Sequence, residues 1–430
     1  MTGLRRAAMS RWTRLSILGS LAATLLACAS APHGGWGWPW RDEPAPPSVP
    51  VPQAGEPAAA TPAAPSVGPD PATGADRQAA VAEPDDRLHL ARPVRERGPA
   101  RWVPAPWSAL PGWSDDRLLA WWPALLASCG RPARAWADVC ARAQLEAPAD
   151  DAAVRRFVTA WLRPWRLESA DARVDGLATG YFEPVLMASR QPASGFTVPM
   201  HSPPGDLATR LPHWSRQELE TLPAAMASVR GREIAYLAHP LDLLLLQIQG
   251  SGRLRLTEPD GRVQTVRVAY AGHNGHPYRS VGRWLIDQGE LRSHQASWPA
   301  IRAWAERRPD RLREMMWANP RVIYFREEPL PDPGRGPLGA QGVPLTPGRS
   351  VAVDPRAMPY GTPLWIDTTE PLSPQPLQRL VMAQDTGSAI VGAVRVDYFW
   401  GWGDEALDQA GRMRQPLRAW ALWPQADDGP

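Results

Sequence analysis

Three aspartates each end an apolar, strand-like run towards the C-terminus of this 430-residue chain: "SVAVD" at Asp354, "LVMAQD" at Asp385 and "VRVD" at Asp397. A carboxylate is costly to bury unpaired, so each either caps a turn or works as a chemical group. Asp354 precedes Pro355 and Asp385 precedes Thr386-Gly387, contexts in which a carboxylate bonds nearby backbone amides. Asp397 meets no turn residue until Gly401 and lies among Val394, Val396, Tyr398 and Phe399. Such surroundings disfavour the charged form and raise the pKa, and a carboxyl group that keeps its proton near neutral pH can act as a general acid. Trp400 and Trp402 follow closely and offer flat platforms for sugar rings.

Competing chemistries find less support. "QGSGR" around Ser251 lacks the spacing of a nucleophile elbow, and no histidine is placed to serve it. Its Gly250-Ser251-Gly252 backbone either approaches a ligand closely or simply makes a tight corner. His273 and His276 stand three apart in a Gly/Pro-rich loop with no further ligands in a metal-binding pattern, so they read as polar loop residues. All 47 basic residues are arginine; without lysine, Schiff-base catalysis and a phosphate-loop lysine are impossible. The "GWG" at 401–403 is no dinucleotide fingerprint. Neither a cofactor nor a metal is expected.

A net charge of +3 excludes a strongly electrostatic nucleic-acid binder. Residues 1–27 read as an export signal, with Arg5, Arg6, Arg11 and Arg14 ahead of the short apolar run "LSILGSLAATLLA". The run ends "LLAC", and Cys28 stands where a bacterial lipobox carries its lipidated cysteine; cleavage at a small-x-small site is the alternative. Residues 28–98 are rich in Pro and Ala without apolar period and read as a tether. Removing Cys28 from three cysteines leaves Cys129 and Cys140, an even pair that predicts a structural disulfide in an exported chain.

The elements that must position these residues are mostly strands. "RLRLTEPDGRVQTVRVAY" predicts a hairpin about a Pro-Asp-Gly turn, and "DLLLLQIQGSGR" before it reads as a buried apolar strand. Ser114 is placed to cap a helix over "DDRLLAWWPALLASC", Val154, Phe157, Val158 and Trp161 recur at helical spacing, and Ser280 opens "VGRWLID". "AIRAWAERRPDRLREMMWANP" predicts a helix pair broken at Pro309. Short strands with Gly/Pro corners indicate barrels: a mainly β fold with some helices.

The aspartates resemble the barrel motif named for three aspartates, carried here by "AVDPRAMPYGTPLWI", "AQDTGSAIVG" and "VRVDYFWGWGDEA". With "TGYFEPVL", "LQIQGSGRLRL", "YAGHNGHPYRSVGRWLI", "NPRVIYFRE" and "GVPLTPGRSVAVD", the chain from about 100 to 424 resembles the membrane-bound lytic murein transglycosylase A family. Ser388 departs from the family's usual glycine. The resemblance implies a double-psi β-barrel domain from 99–192 and 330–424, with N-terminal helices, and a β-rich domain inserted at 193–329. A groove between them would hold a peptidoglycan glycan strand.

The resemblance implies that Asp397 alone would act as acid and then base on the bond between N-acetylmuramic acid and N-acetylglucosamine. The muramyl C6 hydroxyl, not water, would attack C1 and leave a 1,6-anhydromuramyl end. Asp385 is expected to support it and Asp354 to be structural. Gln249, Gly250, Ser251, Gly252, Tyr181, Tyr270, Tyr278 and Trp400 are the expected substrate contacts. Two alternatives stand beside this reading: a two-carboxylate muramidase using Asp385 or Glu405, and a murein-binding lipoprotein without catalysis. Glycan strands and, through the lipid, the periplasmic face of the outer membrane are the expected partners. No motif specifies murein-synthesis or divisome proteins. Replacing Cys28→Ser should release active protein from the membrane fraction; unchanged membrane retention on fractionation would overturn the anchor.

Overall fold

The structure, a computed structural model, describes residues 87–426. The signal, Cys28 and most of the tether lie outside the described residues. Four strands come first: β1 (Arg95–Arg97), β2 (Ala100–Pro104), β3 (Leu162–Ser169) and β4 (Gly176–Glu183). Six follow: β5 (Val185–Ser189), β6 (Val198–His201), β7 (Glu233–Leu237), β8 (Ser251–Thr257), β9 (Val263–His273) and β10 (Ile323–Pro329). The last five are β11 (Ser350–Ala352), β12 (Pro363–Thr369), β13 (Pro376–Asp385), β14 (Arg395–Trp402) and β15 (Arg414–Pro424).

The first four and last five strands share one sheet, ordered β1-β2-β3-β15-β12-β13-β11-β14-β4. Because β4 also pairs with β15, the strands β15, β12, β13, β11, β14 and β4 close into a ring. Closure removes the exposed edges that would otherwise seek partners. Within the ring β11–β13 and β14–β4 are parallel pairs, and parallel neighbours cannot be joined by a tight hairpin. Between β4 and β14 the chain accordingly builds the second sheet, ordered β10-β9-β8-β5-β7-β6.

The barrel core explains much of the tryptophan excess: Trp102, Trp121, Trp165 and Trp365 are fully buried in it, beside Val351, Val396 and Tyr398. Helices Trp122–Cys129, Ala137–Leu145 and Asp151–Trp161 cover it. Asp150 caps the third by accepting from the Ala153 amide at 2.7 Å, and Val154, Phe157 and Val158 are its buried face. Cys129 and Cys140 are bridged across the first two, with Cα atoms 5.2 Å apart.

Four expectations need correction. "DLLLLQIQ" is a helix, Pro240–Gln249, not a strand. An apolar run of this length suits either structure, and the flanks decide: His239 accepts from the Leu241 amide, Pro240 opens the first turn, and Gly250 ends it at φ 82°. Ser114 caps nothing; its hydroxyl bonds Asp115 Oδ1 at 2.8 Å, and the helix starts at Trp122 with Pro123 in its first turn. Asp116 is instead buried and takes both Arg349 Nη atoms at 2.7 and 2.8 Å. Ordered structure begins before residue 99, because β1 pairs with β2 through a turn at Gly98, whose φ of 52° suits glycine. The second sheet begins at Val185 rather than 193, since β5 pairs with β8 and β7.

A buried charge cluster joins the two sheets. Glu183, at the end of β4 and wholly buried, accepts from Arg253 Nε at 2.7 Å and Arg267 Nε at 2.6 Å. These arginines, from β8 and β9, also donate to Pro333 O and Arg335 O on the returning segment. Arg253 further lies over the Trp402 ring, 3.7 Å from its centroid. Removing one member leaves an uncompensated buried charge, which costs about 3–5 kcal/mol. Glu183→Gln should therefore lower unfolding free energy by about that amount in urea titrations; a change under about 1 kcal/mol would show the cluster to be dispensable.

Candidate active site

Strand register builds the site. β11 runs between β13 and β14, and Ala352 is in register with both Asp385 and Asp397. With neighbouring strands ~4.8 Å apart, the two aspartate backbones stand about 10 Å apart across one intervening strand. On the far side of β14, β4 sets Thr179 opposite Asp397 and Tyr181 opposite Phe399. Alternation then puts Arg395, Asp397, Thr179 and Tyr181 on one face. Val396, Tyr398 and Ala178 point the other way, into the barrel core.

Both carboxylates are held by hydroxyl donors. The Thr179 hydroxyl donates to Asp397 Oδ1. Tyr181 OH donates to Asp385 Oδ2 at 2.9 Å, and the Ala340 amide donates to Asp385 Oδ1 at 2.9 Å. Arg395 Nη2 donates to Thr179 Oγ1 at 2.9 Å, and its Nη1 donates to Val396 O. Burial raises the Asp397 carboxyl above the usual aspartate range, opposed by the Arg395 charge and the Thr179 hydroxyl. Burial likewise pushes Asp385 up to about 6, against the donors Thr386, Ala340 and Tyr181 and with the help of the Asp397 charge. Burial, then the neighbouring Asp385, keeps the Tyr181 phenol protonated.

Asp354 is a different case. Burial works against its charge, but Arg356 and the Gly392 and Arg356 amides outweigh it and hold the carboxyl below its ordinary range. Arg356 donates at 2.7 and 3.0 Å and the Gly392 amide at 2.9 Å, so Asp354 pins the loop that feeds β14.

The Leu-rich helix ends next to β4. Gln249 Oε1 accepts from the Phe182 amide at 3.1 Å, which sets the helix end beside Tyr181. At Gly252 a Cβ would lie 2.0 Å from Leu246 Cδ2, so any side chain there would force the Leu246 side chain to shift. Ser251 opens β8, opposite Ala269. Tyr270 and Tyr278 lie elsewhere. Tyr270 is half exposed on β9 near the His273 ring, and Tyr278 sits beside Ser280 and Arg216. His273 Nδ1 accepts from the Gly275 amide, and His276 Nε2 bonds His213 O.

Trp400 does not belong to the site. It shares the face of Tyr398, whose ring it meets at 4.9 Å, and its indole N–H points to Met413 Sδ. The residue count from Asp397 to Trp400 is odd, so the side chains diverge. Glu405 is exposed in the first turn of the helix Gly403–Ala410. Thr179 and Arg395 were not singled out from sequence. Arg395 stands two residues before Asp397, so strand periodicity alone places it on the same face, whereas Thr179 required knowledge of strand pairing.

The family description "MltA specific insert domain" matches residues 177–326, and "3D domain" matches 349–423. Membrane-bound lytic murein transglycosylase A of Escherichia coli (strain K12) is 33% identical over 285 residues, covering 65% of this chain and 73% of that protein. The chain belongs to the membrane-bound lytic murein transglycosylase A family. Among solved structures, lytic transglycosylase LtgG of Burkholderia pseudomallei is 42% identical, with a TM-score of 0.55 over 77% of this chain and 98% of that one. MltA from Neisseria gonorrhoeae is 31% identical, with a TM-score of 0.67 over 78% of this chain and 95% of that one. E. coli MltA with bound chitohexaose is 27% identical, with a TM-score of 0.58 over 77% of this chain and 94% of that one.

In this member of the transglycosylase A family, Asp385 titrates at about 6 when folded against an ordinary 3.8. Between those values the folded state holds the extra proton, so this group's contribution to stability falls as pH rises through the window. Asp385→Asn removes that slope. The variant should gain stability over the parent near pH 7, with the difference vanishing towards pH 4, in denaturant midpoints measured across pH. A constant offset would overturn the assignment.

Proposed function

We propose that this protein is a peptidoglycan lytic transglycosylase in which Asp397 is the single acid and base. The observation that carries the reading is the placement of Asp397, its Oδ1 held by the Thr179 hydroxyl beside Arg395, in a setting whose burial raises the carboxyl above its ordinary range against the Arg395 charge. A carboxyl raised above its ordinary range holds its proton more readily than a free aspartate, as an acid that delivers a proton to the glycosidic oxygen must. The bond from C1 of N-acetylmuramic acid to that oxygen breaks, and charge develops on the sugar. The resulting Asp397 carboxylate then takes the proton of the muramyl C6 hydroxyl as its oxygen bonds C1, closing the 1,6-anhydro ring and restoring the acid. An intramolecular hydroxyl replaces a positioned water, which gains from proximity.

A muramidase would need a second carboxylate to activate water or attack the sugar. Asp385 is poorly suited to that task, because each of its oxygens already accepts from a fixed donor, Ala340 or Tyr181. Its support role is to share the polar face and, through its charge state, to modulate Asp397. The glycan groove lies between barrel and inserted domain, with Tyr181, Gln249, Gly250, Ser251 and Gly252 on its wall. The anchor is a lipid on Cys28 at the periplasmic face of the outer membrane. The described residues contain no helix long and apolar enough to cross a membrane.

Asp397→Asn preserves size but cannot carry the proton, so release of anhydromuropeptides from purified murein should fall by at least about 10²–10⁴-fold. Sedimentation with sacculi should persist. Mass spectrometry showing reducing muramyl ends from the parent, or an active Asp397→Asn variant, would overturn the mechanism.

A further inference from the structure

The acid's immediate neighbours include a cation that forms no ion pair with it. Arg395 is part-buried on the Asp397 face, yet among the described residues it makes no salt bridge within 4.0 Å. Its guanidinium donates to the Thr179 hydroxyl oxygen and to its own strand's carbonyl at Val396. The hydroxyl hydrogen of Thr179 is thereby directed elsewhere, and it goes to Asp397 Oδ1. We infer that Arg395 and Thr179 form a one-hydroxyl relay that positions Asp397 and balances its two protonation states.

The inference rests on the reading of Asp397 as the acid and goes beyond it by assigning two positioning residues. The physical logic lies in the spacing. A guanidinium bonded directly to a carboxylate would hold it ionised and remove the acid. With no cation nearby, the carboxylate left after proton delivery would be stranded in a part-buried site. Placing the charge one hydroxyl away stabilises the carboxylate moderately, so it can form in the first half-reaction and be reprotonated in the second. The geometry enforces the arrangement: Arg395 and Asp397 share a strand face at i and i+2, and parallel register sets Thr179 opposite Asp397.

The other charged and titratable groups around Asp397 are few. Asp385 is reached across β11, Tyr181 lies on β4 bonded to Asp385, and Arg414 on β15 is the register partner of Thr179. Arg395 is the group bonded directly to the Thr179 hydroxyl oxygen, at 2.9 Å.

The test compares pH–rate profiles for anhydromuropeptide release by the full chain and its variants. Arg395→Leu should lower kcat on the order of tenfold and move the high-pH limb of kcat/KM alkaline by about one unit, because loss of the cation favours the protonated acid. Arg395→Lys should restore part of that shift. Thr179→Val should move the limb in the same direction, and Thr179→Ser should return it. In the double variant Arg395→Leu/Thr179→Val the shift should match that of a single variant rather than their sum. Profiles that fall in height without moving would assign Arg395 a packing role only and overturn the relay. Additive shifts would overturn transmission through Thr179. Both outcomes differ from failure of the acid assignment, which only activity in Asp397→Asn reports. Should Arg395→Leu not fold, Arg395→Gln and Thr179→Val carry the comparison.

Discussion

The arrangement of the molecule depends on one buried carboxylate, Glu183. Two guanidiniums from the second sheet converge on it at the point where the chain leaves the barrel, and both reach on to carbonyls of the returning segment. Desolvating three charged groups is expensive, and their attraction offsets that cost only when every donor and acceptor is placed. The cluster's net gain is thus smaller than the cost of removing one of its members. A second sheet rotated from this position would strand a carboxylate and two guanidiniums in apolar surroundings. That constraint sets the Leu-rich helix against β4 and carries Gln249 to the Phe182 amide, next to Tyr181.

Inside the barrel, ring closure performs a similar selection on the face that carries Asp385 and Asp397. Because β11 is shared by β13 and β14, Asp385 and Asp397 come into register with the same alanine. A slip of one residue in β14 would turn Asp397 into the core and Val396 outward. The packing of Val396 and Tyr398 against the tryptophan-rich interior opposes that slip. Asp397 is therefore oriented by hydrophobic side chains that point away from it into the barrel core.

Much of this was legible in the chain. Alternation marked β8, β9 and the last strands, and Asp397 was separable from Asp354 because only Asp354 had a turn beside it. Capping chemistry, in contrast, was misread twice. Ser114 lost to Pro123 as a helix start, and the leucine run became a helix because Pro240 and Gly250 bracket it. Trp400 misled because proximity in sequence says nothing of face: three residues along a strand reverse the side chain. Thr179 and Tyr181 lie roughly two hundred residues from their carboxylates, and no local pattern encodes a parallel pairing across an inserted sheet.

Pro184 alone separates β4 from β5, and the return crossing is tied down at Pro333 and Arg335. The chain thus enters the second sheet without a linker, and the Glu183 cluster ties β4, β8 and β9 to the returning segment. A force on β8 or β9 would therefore pass through the Glu183 cluster directly into β4, the strand that holds Thr179 and Tyr181.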